Sequence, residues 1–594
     1  MNEILFHYEK IAPTTWAYLA SLLIIGLFFK FGRFWSVRNL DLLLLILLAP
    51  GLLLVSEGQK LLRDAAAAVA EEAKSAREAV PPPSVDDPAS SAMTPIPTAD
   101  PTVRDATARD ATARDAMATD MQAGQPDESA SETQDRRINK PASDTGAEAS
   151  DTNSSPAKDA LRKGTTIARI GYIWLLVTSL LLLARCLVDS TMVRRPLLEP
   201  NMTTGGLIFS CCSMFVFLMA NIVVSRPTAD DMVGPASAEQ LMSRQATDDI
   251  VRHGPGYALV FMLPSLPTVK TSSNLSLDPN ESSTTRPRQW KYQPAADQPF
   301  VDVEAEFVEI AANGQIELQK LDGTELSIPP AQLSEEDRAF VSKIQAYTTV
   351  AKLVAILSHL AILIGIIAIG YWHFNNVKMG IGAAALYLML PYTSQMTGYV
   401  DHVLPTAMLI LGVLTYRRPL LSGVFLGLAI GIIYYPLFLL PLWISFYWQR
   451  GLWRFLAGLI FVLAVMVLML VLVSPDSEAF WQCFKKMFGL MPPQSEGLTG
   501  IWRLGWNPVY RYPILAAFVA LSGSMAIWPA QKNLGTLISC SAALMIATQF
   551  WHGYGGGLYM AWYLPLFLLT VFRPNLEDRV AASVVGEGWQ LGKA

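Results

Sequence analysis

Asp401 and His402 stand side by side between two apolar stretches. His552 stands between two others, just ahead of Gly555-Gly556-Gly557. A carboxylate beside an imidazole can take a proton from a hydroxyl or hand one back. The polar stretch 474–512 adds Lys485, Lys486, Arg503, Trp506 and Arg511. A carboxylate near such basic and aromatic residues can act as general base toward a lipid-phosphate-linked sugar, so Asp401, His402 and His552 are the candidate catalytic residues. The same Trp and Arg residues also suit the ends of membrane helices, where they sit at headgroup level. His359 lies next to Ser358 in the middle of an apolar run, where an ionisable group is a functional candidate or a neutral ring bonded inside a bundle. The five cysteines, Cys186, Cys211, Cys212, Cys483 and Cys540, form no CxxC pair and join no histidine cluster. Neither a metal nor a cofactor is expected.

These residues need elements to carry them. The chain has 594 residues, 52% of them apolar and only 16% charged, with a mean hydropathy of +0.32. That is the composition of a membrane protein, with the lipid bilayer as a partner. The net charge of −5 carries no basic surface for nucleic acid. A bilayer core of roughly 30 Å takes about 20 apolar residues per helix. On that measure about thirteen spans are expected: 15–29, 40–55, 167–188, 205–224, 350–372, 380–397, 404–416, 420–433, 438–448, 455–473, 513–528, 534–550 and 558–572.

The basic residues of the short loops fall on one side of this arrangement. They put the N-terminus outside and the C-terminus in the cytoplasm, in a plasma (inner) membrane. The domains expected are helices one and two in 1–55, a disordered acidic linker in 56–165, and helices three and four in 166–224. A second disordered linker follows in 225–285, then a soluble module in 286–345, a helical bundle in 346–575 and a cytoplasmic tail in 576–594. The first linker holds a repeat beginning Arg104-Asp105-Ala106-Thr107-Ala108, too poor in large apolar side chains to offset the entropy of ordering. Both long polar regions are expected outside.

The module alternates Val301, Val303, Ala305 and Phe307 with Asp302, Glu304 and Glu306, the period of a strand with one buried face. Asn313-Gly314 predicts a hairpin, and Ile316 and Leu318 lie on its return strand. Asp322-Gly323 predicts a second turn, and Leu326 and Ile328 a third strand. Pro329-Pro330 ends the sheet and Ser334 caps a helix that begins with Glu335, Glu336 and Asp337. Three strands are marginal alone, so a fourth is expected within 288–300, with Trp290 in the core.

Two resemblances follow from these motifs. Arg288-x-Trp290, Val303-Glu304-Ala305-Glu306-Phe307, Asn313-Gly314-x-Ile316-x-Leu318, Asp322-Gly323 and Leu333-Ser334-x-x-Asp337 together resemble the Sla-type homology domain one of fungal endocytic adaptors, over about 286–341. The resemblance implies a small SH3-like all-β module that binds a peptide or protein ligand, with Arg288, Trp290 and Phe307 as candidate contact residues. Further on, Arg418-Pro419-Leu420-Leu421-Ser422-Gly423, Tyr435-Pro436-Leu437, Leu440-Pro441-Leu442 and Ala561-Trp562-Tyr563-Leu564-Pro565 are similar to the type C polyprenyl-phosphate-dependent glycosyltransferases. That resemblance implies a polyprenyl-phosphate sugar as substrate and a key acidic residue in the first outer loop, with Asp401 as the outer-face carboxylate available. The fold class expected is a mainly α polytopic membrane protein with the inserted β-module. Its expected function is protein interaction, the alternative being sugar transfer.

Overall fold

The computed structural model describes residues 12–78, 156–192, 198–244, 254–269, 287–295, 298–311, 313–320, 323–493 and 497–586. The repeat at 104–116 and most of both expected linkers lie outside the described residues. Residues 65–159 form a unit of their own, of which only the helical ends are described.

The chain is mostly helical. First come α1 (Pro13–Phe28), α2 (Val37–Glu78), α3 (Pro156–Asp189) and α4 (Thr204–Val223). Two helices, α5 (Ala229–Met242) and α6 (Pro255–Val269), then occupy part of the stretch expected to be a linker. That expectation is corrected: α5 has a complete capping box between Thr228 and Asp231, which satisfies the first orphan amides of a helix. The first expected linker is shorter than 56–165 as well, since α2 continues to Glu78 and α3 begins at Pro156.

Strands β1 (Arg288–Tyr292), β2 (Val301–Ile310), β3 (Ile316–Lys320) and β4 (Glu325–Ile328) form an antiparallel sheet in chain order. The expected alternation is present from Val303 to Phe307, while Val301 is exposed; the Asn313-Gly314 turn is present, and Asp322 of the second turn lies outside the described residues. Gly314 and Gly323 take φ of +81° and +82°, which side chains rarely adopt. Tyr292 of β1 also bridges Leu333, so the segment after β4 returns to the opposite edge of the sheet. The next helix is α7 (Glu335–Trp372), capped by Ser334, whose hydroxyl accepts from Asp337 N at 3.1 Å.

The remaining helices are α8 (Val377–Met389), α9 (Pro391–Gln395), α10 (Val400–Leu414), α11 (Pro419–Ile432), α12 (Leu440–Tyr447), α13 (Leu452–Val473), α14 (Ser477–Met487), α15 (Arg511–Ser524), α16 (Leu534–Ala547), α17 (Leu564–Phe572) and α18 (Ala581–Val584). A helix lies at each of the thirteen apolar stretches. Only five of the described helices are long and apolar enough to cross a membrane: segments of α2, α3, α4, α7 and α13. Several others stop short because proline lacks a backbone donor and ends the hydrogen-bond ladder, as Pro391 and Pro436 do at helix starts. The expected tail is also partly structured, with Leu534 N donating to Arg579 O at 2.9 Å and Arg450 Nη1 to Ala582 O at 2.9 Å.

Small residues let the first helices approach closely. A Cβ on Gly58 would lie 2.5 Å from Ala168 N, and one on Gly171 would lie 2.7 Å from Val55 N, so α2 and α3 meet backbone to backbone. Near the end of α3 lies a buried ion cluster. Arg185 donates to both oxygens of Asp41, at 2.6 and 3.0 Å, and to Asp189 at 3.1 Å. Asp189 also pairs with Arg573, after α17, nearly four hundred residues away in sequence. Two carboxylates and two guanidinium groups thus cancel in a dry setting. Removing one partner there strands a charge, a loss of about 3–5 kcal/mol. We therefore expect Asp189→Ala to lower the thermal midpoint of the detergent-solubilised protein sharply. The double change Asp189→Leu with Arg573→Met should recover most of the loss, and equal losses in both would exclude charge pairing as the cause.

Candidate functional site

The three sequence candidates face one cavity of about 1160 Å³. The sequence separates them by some 150 residues, and the fold brings them together in steps. Asp401 and His402 lie in the first turn of α10, where the helix dipole favours an acid. Thr406, one turn on, donates to Ala561 O at 2.9 Å, and Trp562 Nε1 donates to Asp401 O at 3.1 Å, which fastens α10 to the 559–562 segment. Tyr559 then sits between the two imidazoles, its ring centroid 4.4 Å from that of His402 and 4.5 Å from that of His552.

The glycine loop is held from inside. Gln549 Oε1 accepts from Gly557 N and Tyr559 N, both at 3.2 Å. Gly500, at φ +69°, approaches so near that a Cβ there would lie 2.9 Å from Gly555 Cα.

Each group has a distinct chemical state. Tyr392 OH bonds His402 Nδ1 at 2.5 Å, which leaves Nε2 toward Asp401 Oδ2 at 3.7 Å. Tyr554 N donates to His552 Nδ1 at 3.1 Å, so the neutral ring carries its proton on Nε2. Burial holds the His552 imidazole down at about 3. His552 is therefore a hydrogen-bond donor at neutral pH, not a base.

Residues not assigned to a site from the sequence also line the cavity: Arg226, Asp230 and Asp231, at the start of α5. They were hidden in a stretch that reads as loop, where Thr228-x-x-Asp231 was the one available signal of a helix start. Lys486 and Arg511 reach the lining from α14 and α15. Arg511 is buried and donates to Trp551 O at 3.2 Å. His359 is not in the lining. It is a buried core histidine, bonded to Thr397 O at 3.0 Å and Tyr387 OH at 3.1 Å.

The module residues are placed differently. Trp290 and Phe307, 1% and 4% exposed, are core side chains, and Trp290 Nε1 donates to Ala305 O at 2.8 Å. Arg288 bonds Asp337 Oδ1 at 2.9 Å and lies over the Phe340 ring at 4.1 Å. Asp337 also accepts from Lys291 N at 2.9 Å. The motif Arg288-x-Trp290 with Ser334-x-x-Asp337 is thus a clamp between β1 and α7. Its residues hold the module together, and a ligand-contact role for Trp290 or Phe307 is corrected to a structural one by their burial.

The depressed His552 pKa gives a testable pH dependence. An unfolded imidazole titrates near 6.5, so below that pH the unfolded chain binds more protons. The stabilisation from this site is full above about pH 6.5 and is lost as pH falls toward about 3. We expect the thermal midpoint of His552→Asn, which keeps an acceptor for Tyr554 N, to fall less than the parent's between about pH 7 and about pH 4. An equal fall would remove His552 as a source.

Residues 281–348 match the family model of SLA1 homology domain 1, which covers the four strands and the start of α7. Searches of curated proteins and of solved structures return no match to the chain. The β-module therefore matches SLA1 homology domain 1, a match that suggests a protein-binding, adaptor-like module, and it is set within a helical body.

Proposed function

We propose that the chain is a multi-spanning membrane protein with two working parts: a helical body that performs group transfer in its cavity and a β-module that binds a protein partner. One observation carries the first part, the convergence of Asp401, His402 and His552 around Tyr559 in a cavity that also takes in Arg511 and Lys486. The reading is transfer of a sugar from a lipid-phosphate-linked donor at the outer face, in line with the similarity to type C transferases. The acceptor hydroxyl attacks the anomeric carbon as the bond to phosphate oxygen breaks. A cavity carboxylate, Asp401 or Asp230, takes the hydroxyl proton. Arg511 and Lys486 receive the phosphate, which needs no proton to leave. The exposed lining rings of Tyr399 and Tyr554 offer faces to a sugar ring. The membrane arrangement is supported by the five long apolar helices and by the meeting, in one ion cluster, of Arg185 and Arg573, which lie near the ends of the third and last expected spans.

The test uses the full chain in vesicles with a polyprenyl-phosphate sugar. Asp401→Asn or Asp230→Asn should lower turnover by about a hundredfold, the scale of general base catalysis. If turnover is absent in the parent, or unchanged in both variants, the transferase reading fails.

The second part rests on the match at 281–348 and on an exposed apolar pair at the start of β2, Phe300 and Val301, 55% and 44% exposed. Peptides selected on the full-length protein should lose about tenfold in affinity on Phe300→Ser, as for truncation of a central contact. The thermal midpoint should stay unchanged. Peptides that bind equally to this variant would remove Phe300 from the interface. A selection that returns no binder competing at 281–348 would remove the adaptor reading.

A further inference from the structure

Helix α5 has no face of its own to spend. Met232, Ala236 and Glu239, at helical spacing, form one stripe, and Gly234, Ala238 and Leu241 form another on the far side. The first stripe belongs to the β-module. Met232 and Ala236 are buried in one core with Trp290, Phe307 and Leu318. Glu239 accepts from Lys343 Nζ at 2.8 Å and from the Tyr347 hydroxyl, both on the part of α7 that covers the module. The second stripe belongs to the helical body. A Cβ on Gly234 would lie 2.7 Å from the Phe261 ring of α6, Ala238 packs into the main bundle core, and Leu241 packs with Val462 and Met466 of α13. The first turn of this sandwiched helix is the part that carries Asp230 and Asp231 into the cavity.

Two further ties join the module to the same rim. Arg226, a lining residue, lies 3.7 Å from Glu309 of β2. Lys352 of α7 donates to Val223 O at 3.0 Å and Ser225 O at 2.7 Å, fixing the segment that leads into α5.

We propose that α5 couples the β-module to the cavity. The module, through Met232, Ala236 and Glu239, sets the position of Asp230 and Asp231, and a peptide bound to the module regulates the cavity. Packed interfaces pass a displacement on as a unit, because side chains at native density cannot absorb it one by one. Glu239 and Lys343 are the positioning residues, since neither touches the cavity. The coupling does not depend on the cavity being a transferase site.

Cysteine reactivity in the full chain tests this directly. Cys212 is the exposed native cysteine among the described residues, so the background is Cys212→Ser. Asp230→Cys reports on the α5 rim and Tyr554→Cys on the glycine-loop rim, both exposed lining positions. Maleimide labelling at Asp230→Cys should change by about fivefold on adding Lys343→Met, the low end of coupling between sites. Tyr554→Cys should keep its rate, and Lys343→Arg, which can re-form the pair with Glu239, should restore the reference value. Should Lys343→Met fail to fold, Glu239→Gln, of nearly the same volume, carries the same comparison. Unchanged labelling at Asp230→Cys, or an equal change at both reporters, would overturn the proposal.

Discussion

A four-stranded sheet this small buries one face only if something outside it supplies the cover. Trp290, Ala305, Phe307, Ile316, Leu318 and Ile328 all turn to the same side. The strands themselves cannot enclose them, because a sheet of this length has too little surface to fold back over its own core. Cover comes from Val341, Ile344 and Tyr347 of α7 and from Met232 and Ala236 of α5. Most other features around the module follow from that requirement. α7 must be both the lid of the module and the next long apolar helix, which is why it runs unbroken for 38 residues. α5 must lie against the sheet, which fixes where its first turn points. An adaptor module hung on a loose tether would have needed a larger sheet or a helix of its own.

Charge is handled in two different ways in the bundle. In the ion cluster near the end of α3, every carboxylate is matched by a guanidinium, with Asp41, Arg185, Asp189 and Arg573 linked in one chain of pairs. In a dry interior unpaired ions are too costly to keep, so this arrangement serves cohesion and leaves no group available for chemistry. Around the cavity, six charged residues share the lining: Arg226, Asp230, Asp231, Asp401, Lys486 and Arg511. They border a space of about 1160 Å³. The buried cluster acts as a lock, and the cavity is the candidate site.

The alternation in β2, the Asn313-Gly314 turn and the Ser334 cap were all legible in the sequence, because each rests on neighbouring residues. So were the positions of the apolar helices, although their lengths were not, since proline ends a helix without ending the hydropathy. Of the two helices between α4 and the module, α5 was illegible for a physical reason. α5 divides its apolar residues between two cores, so Met232 and Ala236 do not form one stripe with Ala238 and Leu241. A helix buried on opposite sides shows little amphipathic signal, and Pro235 inside it adds a misleading breaker. Asp401, His402 and His552 were legible as chemistry because ionisable groups are scarce in apolar sequence. Asp230 was hidden among other polar residues, where one more acid carries no information.

The cavity's acids share an origin that bears on the direction of proton flow. Asp230 is in the first turn of α5, and Asp401 is in the first turn of α10. Acids are commonly placed at such positions, where their charge complements the helix end. His552, by contrast, is kept neutral, with its proton directed away from the Tyr554 amide. A site with carboxylates and a neutral donor is suited to take a proton from a nucleophile and to hydrogen-bond an oxygen. It is poorly suited to protonate a leaving group. Chemistry in this cavity therefore calls for a leaving group that departs as a stable anion, received by cations such as Arg511 and Lys486. The phosphate of the proposed lipid-linked donor meets that condition, and an alkoxide does not.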